Sequence, residues 1–288
     1  MNRILEIRNL CKRYQGFSLQ NVNITLESGY IMGFIGPNGA GKTTTIKLIM
    51  NLIRRDAGEI RVFGLDNIKD GVRVRDRIGF VYDECFFYDK LTIKETRRII
   101  APFYSRWDDG VFYGYLERFA LPPRKKVKEL SRGMKMKLAL AVALAHHADL
   151  IIMDEPTAGL DPVFRSELLE ILLELIQDEN KGVFFSTHIT TDLDRIADYI
   201  TFINRGEIVF SEPREAILER YALVKGGGEL PDGEIRREFI GIRENRFGWE
   251  ALTDNAKRVR QHLGDAAVIE RPTLEEIMLY TVRGNHRA

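Results

Sequence analysis

Gly36-Pro37-Asn38-Gly39-Ala40-Gly41-Lys42-Thr43, with Thr44 after it, decides how this chain folds. The stretch fits the pattern GxxxxGK[ST] of a phosphate-binding loop. Its glycines let backbone N–H groups turn inward and wrap phosphates, an approach that side chains would block. Before it, Ile31 to Ile35 is a short buried run; after it, Thr43 to Ile53 has helical apolar spacing at Ile46, Ile49, Met50 and Ile53. Strand, glycine loop and helix open a nucleotide-binding α/β domain, and the helix adds its positive end to the phosphate site. Lys42 then neutralises charge on the β- and γ-phosphates, and the Thr43 hydroxyl is placed to ligate Mg²⁺. By itself the loop specifies a nucleoside triphosphate site and no more.

Outward from the loop, the N-terminal stretch alternates with period 2 at Ile4, Val22, Ile24 and Leu26, which predicts strands. Residues 92–147 are mostly helical in pattern, and Thr92-Ile-Lys-Glu95 fits a capping box. Sheet-like runs return at Leu150–Met153, Val183–Ser186 and Ile200–Ile203. Between the first two, Asp161-Pro162 predicts the start of a long helix, with an acidic cap and a proline at its first position. Helices alternating with short apolar strands imply a mixed, mainly parallel sheet covered on both faces. After Glu212 the character changes. Gly226-Gly227-Gly228 with Pro231 and Gly233 is expected to be a flexible connection, and an amphipathic helix is expected at Thr273–Val282.

Bulk properties limit the function classes. With 43 basic and 42 acidic residues the net charge is +1, which argues against a protein held to nucleic acid by bulk electrostatics. Cys11 and Cys85 stand in no metal or redox spacing and fit a reducing compartment. The first ten residues carry Arg3, Glu6 and Arg8, so they hold no signal-peptide core. The longest apolar run, Leu138 to Ala145, is far short of the ~20 residues of a membrane helix.

Four further motifs follow the loop: Leu130-Ser131-Arg132-Gly133-Met134, Asp149-Leu-Ile-Ile-Met-Asp154-Glu155-Pro156, Ala158-Gly-Leu-Asp161 and Ser186-Thr187-His188. In order and spacing the series resembles the ATP-binding cassette (ABC) family over residues 3–212. The resemblance implies a P-loop NTPase fold: an ATPase domain at 1–212, a helical subdomain at about 85–147 and a small α+β accessory domain at 213–288. It implies that Asp154 holds Mg²⁺, that Glu155 polarises the attacking water and that His188 contacts the γ-phosphate and that water. Tyr14 matches the aromatic that stacks on adenine. Ser131 and the Gly133 N–H, at the start of an apolar helix, are implied to grip ATP held by a partner subunit, and Asp161 closes the loop between the two sites. Because one cassette has one P-loop and one signature, a complete site needs two cassettes head to tail. His146, His147 and His262 match no motif and are expected to be structural.

Two positions depart from the common family form. Asp83 stands where a glutamine is usual; a carboxylate there is still an oxygen ligand for Mg²⁺, but it is shorter and adds negative charge near Glu155. Arg132-Gly133-Met134 replaces Gly-Gly-Gln, and LSRGMKMKL is similar to the ATPases of bacterial ABC-2-type exporters of the antibiotic-resistance kind. The resemblance therefore implies an ATP- and Mg²⁺-dependent ATPase subunit, in a homodimer or heterodimer of cassettes. It would sit in the cytoplasm, on the inner face of the membrane, through separate polytopic permease subunits. The apolar cluster Phe86-Phe87-Tyr88 is expected either to receive the permease or to pack into the helical subdomain. Two other readings stay open: a regulatory cassette of weak activity, and a soluble ABC protein acting on nucleic acid or ribosomes. Against the second, only 88 residues separate Lys42 from Ser131, too few for the long coiled coil of chromosome-acting members.

Overall fold

The computed structural model describes residues 2–82 and 86–284. Strands β1 (Arg3–Tyr14) and β2 (Phe17–Glu27) form an antiparallel hairpin, and β3 (Ile31–Ile35) leads into the glycine loop and α1 (Lys42–Ile49). Then come β4 (Ala57–Val62), β5 (Leu65–Asp66), α2 (Gly71–Arg75) and β6 (Ile78–Val81). Helices α3 (Ile93–Ile100), α4 (Asp109–Arg118) and α5 (Arg132–Leu144) follow as a largely helical stretch. The capping box forms as expected: the Thr92 amide donates to Glu95 at 2.8 Å, and the Glu95 amide donates to Thr92 Oγ1 at 3.2 Å. The chain then alternates through β7 (Leu150–Asp154), α6 (Pro162–Leu175), β8 (Gly182–Thr187), α7 (Thr190–Ile196), β9 (Tyr199–Asn204) and β10 (Glu207–Pro213).

Two sheets stack in this part. The central one has the order β10-β9-β3-β8-β7-β6, parallel from β9 to β6 with β10 added antiparallel. The N-terminal strands do not join it but make a separate antiparallel sheet, β2-β1-β4-β5. Side-chain alternation explains the layering. Ile31 and Ile35 of β3, Ile151 and Met153 of β7, and Val183 and Phe185 of β8 enter one core with the helices. The intervening Met32, Phe34, Leu150, Ile152 and Phe184 enter a second core with the N-terminal sheet and α1. Buried on both faces, these strands read as the unbroken apolar runs seen in the sequence.

The last part holds α8 (Arg214–Arg220), β11 (Ala222–Gly226), α9 (Glu234–Arg237), β12 (Phe239–Asn245), β13 (Gly248–Thr253), α10 (Ala256–Leu263), β14 (Ala267–Glu270) and α11 (Leu274–Gly284). Its antiparallel sheet has the order β12-β13-β11-β14. The structure corrects the expected flexible connection at its first glycine only, because residues 227–233 form an irregular stretch between β11 and α9. Gly226 ends a paired strand, and a Cβ there would lie 2.4 Å from Trp249 Cζ2. The glycine is required by a ring packed on it. Nor does the unit hang free, because Leu274, Ile277 and Tyr280 of α11 share a core with Leu193 and Ile196 of α7.

Candidate functional site

Strands β7, β8 and β3 are neighbours and parallel, so their carboxyl ends open at one edge, where α/β sheets hold ligands. The glycine loop leaves β3 there. Gly36 cannot be another residue, since a Cβ would come within 2.3 Å of the Ile203 carbonyl oxygen on β9. Gly41, at φ +114°, makes the left-handed step into α1, a conformation that glycine alone adopts without strain. The β9–β10 turn supports the loop from behind, with the Gly206 N–H donating to Ala40 O at 3.0 Å.

Lys42, Glu155 and His188 form one connected set at this edge. Lys42 is 6% exposed; its Nζ donates to Gly36 O at 2.8 Å and lies 3.3 Å from Glu155 Oε1. The other oxygen, Glu155 Oε2, accepts the His188 backbone N–H at 3.1 Å and stands 2.7 Å from Nδ1 of the same residue. With the Nδ1 proton donated to this carboxylate, Nε2 is left as the ring's other hydrogen-bonding group. Glu155 is held in a left-handed conformation, φ +49°, with its amide donating to Ser186 O at 2.9 Å. A backbone conformation of this kind costs energy in a non-glycine residue and marks positions that the fold over-determines.

Asp154 lies one residue back and is 2% exposed. Burial raises its carboxyl group above the usual carboxylate range, while hydrogen bonds from Thr43 and Ser186 and the Lys42 charge oppose that rise. Ser186 Oγ donates to Asp154 Oδ1 at 2.9 Å, across paired positions of β7 and β8. Ser186 is a positioning residue that motif reading passed over, although it stands two residues before His188. The pair Asp154 and Thr43 suits a hard divalent cation: both offer oxygen, and a cation there would offset the cost of a buried carboxylate. Among the described residues no group of three or more acidic, histidine or cysteine side chains is placed to hold a metal. Asp83 lies outside the described residues.

A cleft of about 490 Å³ runs along the loop, lined by Pro37, Asn38, Gly39, Gly41, Lys42, Thr43, Thr44 and Glu155 together with Gly16 and Phe17. A second cavity of about 880 Å³ shares Gly16, Phe17 and Gly39 and adds Tyr14, a residue 48% exposed. Phe17 faces Tyr14 across the β1–β2 hairpin and sits between the two cavities, a contribution no motif announced.

The remaining expected residues lie elsewhere. Ser131, Gly133 and Asp161 line neither cavity. Ser131 caps α5, accepting the Met134 N–H at 3.3 Å, and Asp161 Oδ1 caps α6, accepting from Val163 and Phe164 at 3.1 and 3.0 Å. Gly133 is informative in a different way. A Cβ added to it would meet nothing within 4 Å, so this chain's own packing does not require a glycine there.

Comparison with known proteins places the chain beside ATP-binding subunits of transporters. The family profile described as ABC transporter matches residues 19–158. The bacitracin transport ATP-binding protein BcrA of Bacillus licheniformis is 31% identical over 281 residues, covering 96% of this chain and 90% of its own. A solved structure described as the ATP-binding subunit of an ABC transporter superposes with a TM-score of 0.70 at 28% identity, covering 75% of this chain and 92% of its own. The ATP-binding cassette MJ0796, solved as a dimer in a post-hydrolysis state bound to ADP and Pi, gives 0.65 at 26% identity, covering 73% and 98%.

Proposed function

This chain belongs to the ABC transporter family as an ATP-binding, ATP-hydrolysing subunit, and from that premise we propose how its residues divide the work. The triphosphate lies along Gly36–Thr44 with its β- and γ-phosphates at Lys42, and the adenine stacks on Tyr14. Thr43 and Asp154 would hold Mg²⁺, which neutralises charge on the phosphates. Lys42 exchanges Glu155 Oε1 for phosphate oxygens, which carry more charge and compete well for a buried ammonium group. Glu155, freed of that contact, orients and deprotonates the attacking water. His188, tethered through Nδ1 to the same carboxylate, uses Nε2 to reach the γ-phosphate and that water. The observation that carries the reading is the connected set in which Lys42, at the start of α1, is ion-paired with Glu155 and Glu155 is hydrogen-bonded to His188, the last two following the adjacent strands β7 and β8.

Ser131 and Gly133 complete the site of a second cassette, and Asp161 places the loop between the two sites. A glycine without a partner in its own chain supports close approach by another molecule. ATP bridging the two cassettes closes the pair, and hydrolysis of the γ-phosphate opens it, a shift driven by differential affinity for the two states. Among the described residues no helix is long and apolar enough to cross a membrane, so separate permease subunits would carry the substrate, with this chain bound at their inner face. Phe86 and Tyr88, 73% and 71% exposed, offer an apolar contact there, while Phe87 packs against the main core. The likeness to a bacitracin transport protein favours export of a compound of that kind.

Glu155→Gln tests the assignment. It should lower Mg²⁺-dependent ATP hydrolysis by ~10²–10⁴-fold, the usual worth of a positioned base. The variant should still bind ATP and run as an ATP-dependent dimer in size exclusion with light scattering. Hydrolysis at the wild-type rate would remove Glu155 from the role of base.

A further inference from the structure

The signature of this chain carries an arginine between Ser131 and Gly133, at the first position of α5. A cation at a helix N-terminus opposes the helix dipole, so its presence there calls for a compensating role. The Arg132 side chain turns onto the loop between Glu155 and α6. A Cβ added at Gly159 would lie 3.2 Å from Arg132 Nη1, 3.5 Å from Cζ and 3.9 Å from Nε. Three guanidinium atoms so close to one missing side chain describe a planar group resting against a bare glycine. Gly159 is also at φ +72°, so the position disfavours a side chain twice over.

What lies on either side of this contact gives it meaning. Gly159 is four residues beyond Glu155, and the segment between them is knit by short turns. Ala158 N–H donates to Glu155 O at 3.2 Å, and Leu160 N–H donates to Thr157 O at 3.2 Å. Leu160 packs against the main core, and Asp161 caps α6, so a push at Gly159 has little slack to absorb it before Glu155. On the other side, Arg132 is covalently between the two residues that would meet the partner's ATP.

We propose that Arg132 is a positioning residue, a strut within one chain that couples capture of the partner's ATP by Ser131 and Gly133 to the placement of this chain's own Glu155. In a head-to-tail dimer each strut then runs from one nucleotide site to the other, and the two sites hydrolyse cooperatively. The proposal rests on the dimeric reading above.

The test uses the purified full chain, with ATP hydrolysis measured against ATP concentration. The wild-type Hill coefficient should approach about 2, the number of sites, and Arg132→Ala should bring it to about 1. ATP affinity of the isolated protomer should stay unchanged in Arg132→Ala. Arg132→Lys keeps the charge but loses the planar contact, and it should behave as Arg132→Ala does. Gly159→Ala, whose new Cβ displaces the guanidinium, should abolish cooperativity alone and lower the Hill coefficient no further in the Arg132→Ala background, while the left-handed strain lowers thermal stability equally in both backgrounds. Cooperativity retained by Arg132→Ala overturns the strut, as does full rescue by lysine, which would make the residue a simple charge for phosphate. A double variant whose losses of cooperativity add also overturns it. Failure of the dimer reading gives a different result: Glu155→Gln stays monomeric with ATP.

Discussion

The two ends of α5 obey different rules. At its rear, Ala143 presses on β6 so closely that a Cβ at Gly79 would lie 2.6 Å from the Ala143 carbonyl oxygen and 2.5 Å from Ile151 Cδ1. Just beyond, His146 is fully buried, with Nε2 3.0 Å from Ile78 O and its ring stacked 3.9 Å from Tyr104. At its front, Ser131 and Arg132 are exposed, and none of the described residues closes on the Cβ position of Gly133. At the rear the packing of the fold accounts for the glycine, whereas at the front the described residues place no such demand on it. If the front of α5 meets a second cassette, as proposed above, substitutions at the two ends should fail in different ways.

A substitution at the front gives the sharpest break. Gly133→Asp puts an acid in the first turn of α5, where the helix dipole favours it by ~0.3–1 kcal/mol. The melting temperature should therefore hold or rise slightly. Hydrolysis should nonetheless fall by at least ~10²-fold, because a carboxylate facing the partner's triphosphate repels it and removes a donor from a charge-stabilising site. Steady-state ATPase with calorimetry on the same sample checks both halves; unchanged turnover would mean that the front of α5 meets no nucleotide.

Gly79→Ala should do the opposite. Overpacking at the rear is expected to cost about 1–3 kcal/mol in urea unfolding, with activity per folded molecule largely kept. A neutral effect on stability would show that α5 and β6 are less tightly seated than their geometry requires.

The smallest effect is a pH dependence at the same rear end. Burial lowers the His146 pKa below that of a free imidazole, although the carbonyls of Ile78 and Val142 oppose the shift. The unfolded chain takes up a proton near pH ~6.5, whereas the folded ring takes it up only at lower pH. This contribution to stability is thus full above that pH and is lost as the pH falls below it, by at most about 1.4 kcal/mol at pH 5.5. Urea unfolding at pH 7.5 and 5.5 should show the loss, and His146→Gln, which does not titrate, should reduce it. An identical pH slope in both proteins would exonerate the histidine.

Local chemistry made much of the molecule legible. The capping box at Thr92 and Glu95, the cap at Asp161 followed by Pro162, and the helix expected at Thr273–Val282 all depend on neighbours within a turn, and all are present. The glycine loop between β3 and α1 belongs to the same class. Other features were opaque for a physical reason. The run Gly226-Gly227-Gly228 looks like a tether until Trp249, more than twenty residues away, is laid over Gly226. Phe17 and Ser186 matter through partners on other strands, a relation that no spacing records.

The sequence by itself determined the nucleotide chemistry, because a P-loop, a carboxylate pair at 154 and 155 and a histidine after a strand each act through short, local geometry. Only the tertiary structure decided that Lys42, Glu155 and His188 share one set of contacts and that the N-terminal strands form a sheet of their own. It also laid α11 against α7 and Arg132 against Gly159. Those outcomes depend on strand order and on packing between residues far apart in the chain. Period and composition reveal which face of an element is buried, but not what buries it.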